Sequence, residues 1–401
     1  MRMLGLFMVL PVLALYGADY RHATPFLLGL ALGAYGLSQA LLQIPFGWWS
    51  DRWGRKPVIA LGLVLFALGS VIAAASDSVY GLILGRFLQG SGAIASALLA
   101  LVADATEERH RSKAMASIGI AIGLSFSVAI VLGPIVTGWG GLEAIFWLTA
   151  ALALFGLLVL FGFIPTVVQV QQSGVEKPSF QQVLRDKELL RLDGGVFVLH
   201  LVLMANFVAI PSLLENVVGL APSQHWWVYL PVVVGAFVAM LPAMLVAERF
   251  GQLKVVFLGS IALLVAVEVL LVVGVMTAAA ILFGLFLFFV AFNLLEATLP
   301  SQVSKMAPSR LRGAASGVYS SSQFAGAFAG GTLGGAALAL GGAGAVFGLC
   351  AVALSMWLLL AWPMVVVRKQ DNEQDNEQDN KKSAVITREP QAVSEPELES
   401  V

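Results

Sequence analysis

The chain of 401 residues is 59% hydrophobic and only 12% charged, with a mean hydropathy of +0.88. Because an average soluble domain carries about 25% charged residues, this composition excludes a soluble globular protein and predicts an integral membrane protein. A net charge of −1 gives no sign of nucleic-acid binding. The single cysteine, Cys350, excludes an internal disulfide.

Twelve apolar runs follow one another with short connections. Backbone polar groups inside a bilayer must be paired within their own segment, so each run is predicted to be an α-helix. The first run is short, and a signal peptide is the alternative, but no clear cleavage pattern of small residues follows it. The runs are 3–18, 26–49, 58–75, 79–103, 114–137, 142–164, 194–214, 226–247, 255–275, 278–299, 314–340 and 345–367.

The basic residues orient these predicted helices. If the chain starts in the cytoplasm, every lysine and arginine except Arg21 and Arg86 lies in a cytoplasmic segment, Arg2 included. Short basic loops stay in the cytoplasm. We therefore predict a multi-pass protein of the cytoplasmic (inner) membrane with both termini inside.

Polar segments divide the chain. Residues 165–191 are predicted to be a cytoplasmic linker, in which an apolar face over 180–191 indicates an amphipathic helix on the membrane surface. The linker separates a first six-helix half, 1–164, from a second half, 192–367. Residues 368–401 repeat glutamine, aspartate, asparagine and glutamate, and we expect a disordered cytoplasmic tail.

A short charged loop lies between the second and third runs, where its side chains cannot remain in hydrocarbon. It resembles the loop between helices 2 and 3 of the major facilitator superfamily. The alternative, an ordinary basic loop, explains the cations but not the aspartate and glycines at fixed spacing. The matching positions are Gly47, Asp51, Arg52, Gly54, Arg55 and Lys56.

This resemblance implies the major facilitator fold, in which two pseudo-symmetric six-helix halves alternate access to a central site. The resemblance extends over nearly all of residues 3–367. The sequences of segments 2–13, 90–94 and 289–294 are most similar to those of the drug:proton antiporters of the superfamily. It also implies that Asp104, at the end of the fourth run, pairs with Arg55 and locks the outward-open state.

The second half carries a weaker copy of the loop. Residues 51–54 correspond to 248–251, so Glu248 and Arg249 are further gating candidates, although Gln252 replaces the equivalent of Arg55. Residues 111–117 correspond to 310–316 at nearly the same offset. Two such pairs indicate an internal repeat, as transporters that alternate access often have.

Arg86 and Gln89 lie one turn apart inside the fourth run. An arginine in hydrocarbon is costly and indicates a functional site. A residue that snorkels to lipid phosphate is the alternative. The pair resembles an Arg-x-x-Gln-Gly element that the superfamily associates with proton coupling.

Gly133, Pro134 and Gly138 in the fifth run partly match a Gly-Pro element of superfamily antiporters. The alternative is a packing kink, because glycine and proline are common in membrane helices.

Glu296 is the main candidate for the proton carrier. It shares one face of the tenth run with Asn293 and has no basic neighbour in that run. A carboxyl surrounded by hydrocarbon can change its protonation near neutral pH, as proton coupling requires. Glu268 in the ninth run and His200 in the seventh are further candidates, although a lone histidine is more often a satisfied core residue.

Polar side chains at helical spacing predict a wet central cavity. The second run and the eleventh each carry such a stripe, and the eleventh also has a glycine ladder, 326–334, that permits close helix packing. The cavity candidates are Tyr35, Gln39, Gln43, Gln89, Asn206, Asn293, Tyr319 and Gln323.

These features predict a secondary transporter that exports small, largely apolar compounds by proton antiport. A facilitator or symporter of a polar solute is the first alternative, and a membrane sensor without transport is the second. The sequence has no nucleotide-binding glycine loop and no metal-ligand cluster, so we expect neither an enzyme nor an ATP-driven pump. We expect a monomer surrounded by lipid, with the proton gradient as its energy source and no cofactor, metal or nucleic acid.

Overall fold

The computed structural model describes residues 1–164, 180–308 and 311–364. Within these ranges the chain is helical, with one isolated β-bridge between Arg21 and Ser78. The α-helices are α1 (Arg2–Met8), α2 (Leu13–Tyr16), α3 (Pro25–Trp53), α4 (Arg55–Ala74), α5 (Val79–Ser91), α6 (Ala95–Ala105), α7 (Glu108–Gly162), α8 (Phe180–Val183), α9 (Lys187–Asn216), α10 (Trp226–Arg249), α11 (Leu253–Gly274), α12 (Ala278–Met306) and α13 (Arg312–Ala361).

Nine spans in the described ranges are long and apolar enough to cross a membrane, one of them formed by α5 and α6 together. α7 and α13 can each cross twice, because each is broken at a glycine pair: Gly141 has a φ of 65° and Gly342 a φ of 68°, values that suit glycine. α1 and α2, bent by 56°, supply a further span. The all-α membrane architecture is confirmed, and the described helices are consistent with twelve spans.

Two segments differ from their predicted form. The first span is not one helix, since the chain leaves helical geometry around Pro11 between α1 and α2. Residues 180–191 do not form one surface helix either: α8 ends at Val183, and Asp186 caps α9, which already begins at Lys187. The predicted apolar face is accordingly divided, with Val183 buried and Leu184 53% exposed. Residues 165–179 and the tail, 368–401, lie outside the described residues.

The two ends of the bundle differ in how closely the halves pack. We call the end where α3 begins the Thr24 face and the end where α3 turns into α4 the Gly54 face. Near the Thr24 face, α3 and α13 touch backbone to backbone: a Cβ on Gly29 would lie 2.2 Å from the carbonyl oxygen of Gly331, and one on Gly335 would lie 2.7 Å from that of Pro25. We call this contact the α3–α13 seal.

At the Gly54 face a cleft stays open between the halves. Residues 119–124 of α7 are all exposed. In a helix with lipid on one side and protein on the other, buried and exposed positions would alternate with the helical period. A Cβ placed on Gly119 or Gly123 of α7, or on Gly313 or Gly317 of α13, would meet no atom within 4 Å. The structure is therefore closed at the Thr24 face and open at the Gly54 face.

Candidate functional site

The turn from α3 to α4 gathers its charged side chains into one cluster. Arg55 Nε donates to Asp104 Oδ2 at 2.9 Å, and Arg55 NH1 donates to Ser50 Oγ at 2.8 Å and to Asp51. Gly54 makes the turn possible with a φ of 94°. The structure thus brings Asp104 to Arg55, as the resemblance implies. It does so while the cleft at this face is open, and all of these residues belong to the first half.

The other cations of the turn contact the surrounding helices. The guanidinium carbon of Arg52 lies 3.8 Å from the ring centroid of Trp48, and Lys56 Nζ donates to the carbonyl of Ile164. Gly47 faces α6, where an added Cβ would come within 3.2 Å of a serine hydroxyl. These contacts hold the turn against α3 and the end of α7.

The weaker copy in the second half keeps the backbone geometry of the first. Gly251 has a φ of 63°, in the same left-handed region as Gly54, and Arg249 is exposed at the end of α10. The side chain of Glu248 lies outside the described residues.

Arg86 is enclosed in the first half and does not reach the lipid surface. Its side chain is fully buried, its NH1 donates to Gln89 Oε1 at 2.9 Å, and Gln89 in turn donates to Ser70 Oγ at 2.8 Å. The guanidinium carbon lies 5.1 Å from the ring centroid of Tyr35. Because no carboxylate pairs with it among the described residues, the aromatic face and the amide are what offset its charge.

A second buried arginine escaped the sequence reasoning. Between α5 and α6 the helix breaks at 92–94, and Arg2 NH1 donates to the buried carbonyl of Gly92 at 2.6 Å. With its amide oriented to satisfy both neighbours, Gln39 donates to the carbonyl of Gly90 at 2.9 Å and accepts from Arg2 NH2 at 3.0 Å. The distribution of basic residues predicts that Arg2 is a cytoplasmic charge, whereas the structure buries its side chain against a broken helix.

Several cavity candidates are buried among packed helices and do not line the cleft in this structure. The second-run stripe and the fourth-run glutamine are 0–2% exposed. In the orientation given above, Gln39 bonds to Gly90 and Arg2, and Gln89 bonds to Arg86 and Ser70. Spacing on one helix face predicts that residues share a neighbour, but it does not say which neighbour. The candidates corrected in this way are Tyr35, Gln39, Gln43 and Gln89 in the first half and Asn206 in the second.

Glu268 and Asn206 form a separate buried pair in the second half. Asn206 Nδ2 on α9 donates to Glu268 Oε1 on α11 at 2.8 Å. Glu268 is fully buried and Asn206 is 4% exposed. This carboxyl therefore does not face the open cleft.

Three helices of the second half meet around Glu296. Gln323 Nε2 on α13 donates to Glu296 Oε1 at 3.3 Å and lies 2.8 Å from His200 Nε2 on α9. His200 Nδ1 is 3.2 Å from the carbonyl oxygen of Val196. These contacts suit a neutral histidine that donates from Nδ1 and accepts at Nε2. The Glu296 side chain is 37% exposed, unlike that of Glu268, and Asn293 and Tyr319 lie one helical turn from Glu296 and Gln323 respectively.

An aromatic cluster next to Glu296 bridges the two halves. Phe126 of α7 stacks with Phe292 of α12 at a centroid distance of 6.1 Å and contacts Phe7 of α1 at 4.9 Å. Phe292 lies one turn before Glu296, and its ring is 5.9 Å from that of His200. The sequence gives no sign of these phenylalanines, because apolar residues in an apolar helix carry no signal of their own.

The Gly-Pro element of α7 packs against the bend of the first span. A Cβ on Gly133 would lie 2.4 Å from the carbonyl oxygen of Met8, and Thr137 Oγ1 donates to the Gly133 carbonyl at 2.9 Å. Pro134 sits inside the helix, and a Cβ on Gly138 would lie 3.0 Å from Ser223 of the other half. The element thus joins the first span to the closed Thr24 face.

Comparison with known proteins agrees with this architecture. The sequence profile of the Major Facilitator Superfamily matches residues 1–214 and 192–396. The inner membrane transport protein YajR of Escherichia coli is 47% identical over 91% of this chain and 81% of its own length. Multidrug resistance protein 2 of Bacillus subtilis is 27% identical over 76% of this chain and 78% of its own length. The crystal structure of a D-xylose-proton symporter superposes with a TM-score of 0.71 at 15% identity, covering 91% of this chain and 96% of that one.

The chain therefore belongs to the Major Facilitator Superfamily. It is a multi-pass membrane protein and a secondary transporter of small molecules, not an enzyme. Among the described residues, no group of three or more histidine, cysteine, aspartate or glutamate side chains is placed to hold a metal ion.

Proposed function

We propose that this transporter exports small, largely apolar, drug-like compounds from the cytoplasm in exchange for protons. The network of Glu296, Gln323 and His200 carries the proposal. It is a titratable group beside an aromatic surface, at the inner end of a cleft open on one face only. The relative named as a multidrug resistance protein adds support, as does the packed Gly-Pro element of α7.

Two six-helix halves, 1–164 and 192–367, rock about the central site in this proposal. Both termini lie in the cytoplasm, so the Gly54 face is cytoplasmic and the present structure faces inward. The name of the YajR relative supports a location in the inner membrane. The protein acts as a monomer and uses the proton gradient as its energy source.

Glu296 is the proton carrier in this proposal, and His200 and Gln323 tune it. The Glu296 side chain is 37% exposed, but its Oε2 is buried without a partner, so in this proposal the carboxyl exchanges its proton with water when the surrounding helices move. The substrate binds against the aromatic rings of Phe126 and Phe292, next to Glu296. Substrate and proton therefore compete for the region around Glu296. Arg86 and Glu268 are less suited as carriers because both are fully enclosed.

The Arg55 cluster is a conformational element in this proposal. Its contacts with Asp51 and Asp104 already exist within the first half while the cleft is open. Closure at the Gly54 face would bring this cluster against the second half and stabilise the outward-open state.

The test begins with a substrate, found by screening a deletion strain and an overexpressing strain against a panel of toxic compounds. The compound is then followed in proteoliposomes that contain the purified protein and a pH gradient. We expect Glu296→Gln to abolish uphill transport, because the amide keeps the shape of the carboxyl but cannot release a proton. Glu215→Gln is the control, because it makes the same change at an exposed carboxyl at the carboxyl-terminal end of α9. Uphill transport by Glu296→Gln at the wild-type level would contradict the proposal.

A further inference from the structure

Glu268 is a buried titratable group that the proposed transport cycle does not use. It lies in the middle of α11, fully enclosed, among buried apolar residues of the same helix such as Leu264 and Leu271. No lysine, arginine or histidine of the described residues forms an ion pair with it. The facing groups are Asn206 on α9 and the buried thiol of Cys350 on α13. An ionised carboxylate in such surroundings would have no countercharge.

Glu268 and Asn206 share one hydrogen bond, and each side chain has one acceptor oxygen left without a partner. Glu268 Oε1 accepts from Asn206 Nδ2 at 2.8 Å. The remaining oxygens of the same two groups, Glu268 Oε2 and Asn206 Oδ1, are both buried without a partner. Each of these atoms is an acceptor, so a carboxylate would leave both unsatisfied, and a buried acceptor without a donor destabilises the folded protein.

One hydrogen atom removes this mismatch. If Glu268 Oε2 carries a proton, its hydroxyl can donate to Asn206 Oδ1 while the amide donates to Oε1. Carboxylic acid and carboxamide are complementary in this form, since each offers one donor and one acceptor side by side. Every buried polar atom of the pair then has a partner.

We propose that Glu268 keeps its proton throughout transport and forms a neutral acid–amide pair with Asn206 that holds α11 against α9. Glu268 is accordingly a positioning residue and not a proton carrier. α9 also bears His200, so the pair fixes the helix that presents His200 to Gln323. The inference does not depend on the direction of transport or on the substrate.

The experiment uses purified full-length protein and exchanges the two groups. Glu268→Gln keeps the shape and both hydrogen bonds, because the new amide donates where the acid donated. Asn206→Asp alone sets two acids face to face. The double variant Glu268→Gln with Asn206→Asp restores one acid and one amide in swapped positions. Glu268→Leu is the matched disruption, because it removes both bonds and leaves the amide of Asn206 unpaired.

Two readouts that need no substrate decide the matter. In the infrared spectrum at neutral pH, the carbonyl band of a protonated carboxyl should be present in the wild type and lost in Glu268→Gln. In thermal unfolding, Glu268→Gln and the double variant should melt close to the wild type, and Glu268→Leu clearly lower. The melting temperature of Asn206→Asp should fall as pH rises, because one of its two acids then ionises in the interior.

Two results would overturn the inference. One is a spectrum without a Glu268-dependent protonated carboxyl at neutral pH. The other is a melting temperature of Glu268→Gln as low as that of Glu268→Leu, since a carboxylate that must be charged is not replaced by an amide. Neither result bears on Glu296, so failure here and failure of the proposed antiport remain distinguishable. If Glu268→Leu does not fold at all, the spectrum and the swapped pair still decide.

Discussion

The α3–α13 seal gives a quantitative test of alternating access. In the present structure, a Cβ on Gly331 would lie 2.6 Å from the carbonyl oxygen of Gly29 and 2.8 Å from the amide nitrogen of Gly33. A carbon and a carbonyl oxygen approach one another to about 3.3 Å. Gly331→Ala would therefore require the two helices to separate by about 0.7 Å, because backbone atoms cannot rotate away as a side chain can.

This substitution acts on one conformation only. Overpacking of this kind costs about 1–3 kcal/mol, and the cost vanishes when α3 and α13 separate in the state that opens at the Thr24 face. We expect Gly331→Ala to shift the equilibrium toward that state by a factor of roughly 5–150. The added methyl group at the α3–α13 seal should thus trap the transporter in the state that is open at the Thr24 face.

Spin labels report the shift directly. Cysteines at Tyr80 and Leu340 lie on different halves near the Thr24 face and are 57% and 89% exposed, whereas the native Cys350 is buried and should not react. We expect the distance between the labels to lengthen in Gly331→Ala and to stay unchanged in Gly348→Ala, since a Cβ on Gly348 meets no atom within 4 Å.

A second control separates the seal from packing within one half. A Cβ on Gly330 would lie 2.1 Å from the carbonyl oxygen of Leu201, in the same half and therefore in every conformation. Gly330→Ala should lower thermal stability without lengthening the label distance. An unchanged distance in Gly331→Ala, or an equal change in Gly330→Ala, would refute the reasoning.

The helical class and the order of the apolar segments could be predicted because the bilayer leaves the chain few choices. A run of apolar residues must become a helix, and charges must mark its ends. The Arg55 cluster was accessible for the same reason. Arg55 and Asp104 are confined to one face by their charge, and the turn at Gly54 leaves few ways to arrange them.

The rotation and breaks of the helices could not be predicted. The spacing of Gln39 and Gln43 predicts one polar face, but only the packed structure shows that this face meets Arg2 and Gly90 and not the cleft. Nothing in the local sequence distinguishes residues 92–94, where the helix breaks, from glycine-containing segments that remain helical. The glycines of α13 were expected to permit close packing, yet which of them face α3 and which face α9 depends on helix rotation.

Two further predictions concern buried and clustered arginines. Arg55→Ala and Asp104→Ala should each slow transport while the protein remains in the membrane, and unchanged turnover in both variants would exclude the lock. Arg2→Gln should destabilise the first half, because the carbonyl of Gly92 loses a charged donor at 2.6 Å. Hydrogen bonds to charged groups contribute about 1.5–3 kcal/mol. We expect the melting temperature in detergent to fall clearly below that of Ser91→Ala, which removes a neutral hydroxyl from the last residue of α5, next to the break. Equal melting temperatures for the two variants would show that water replaces Arg2 and that the guanidinium does not hold the broken helix in place.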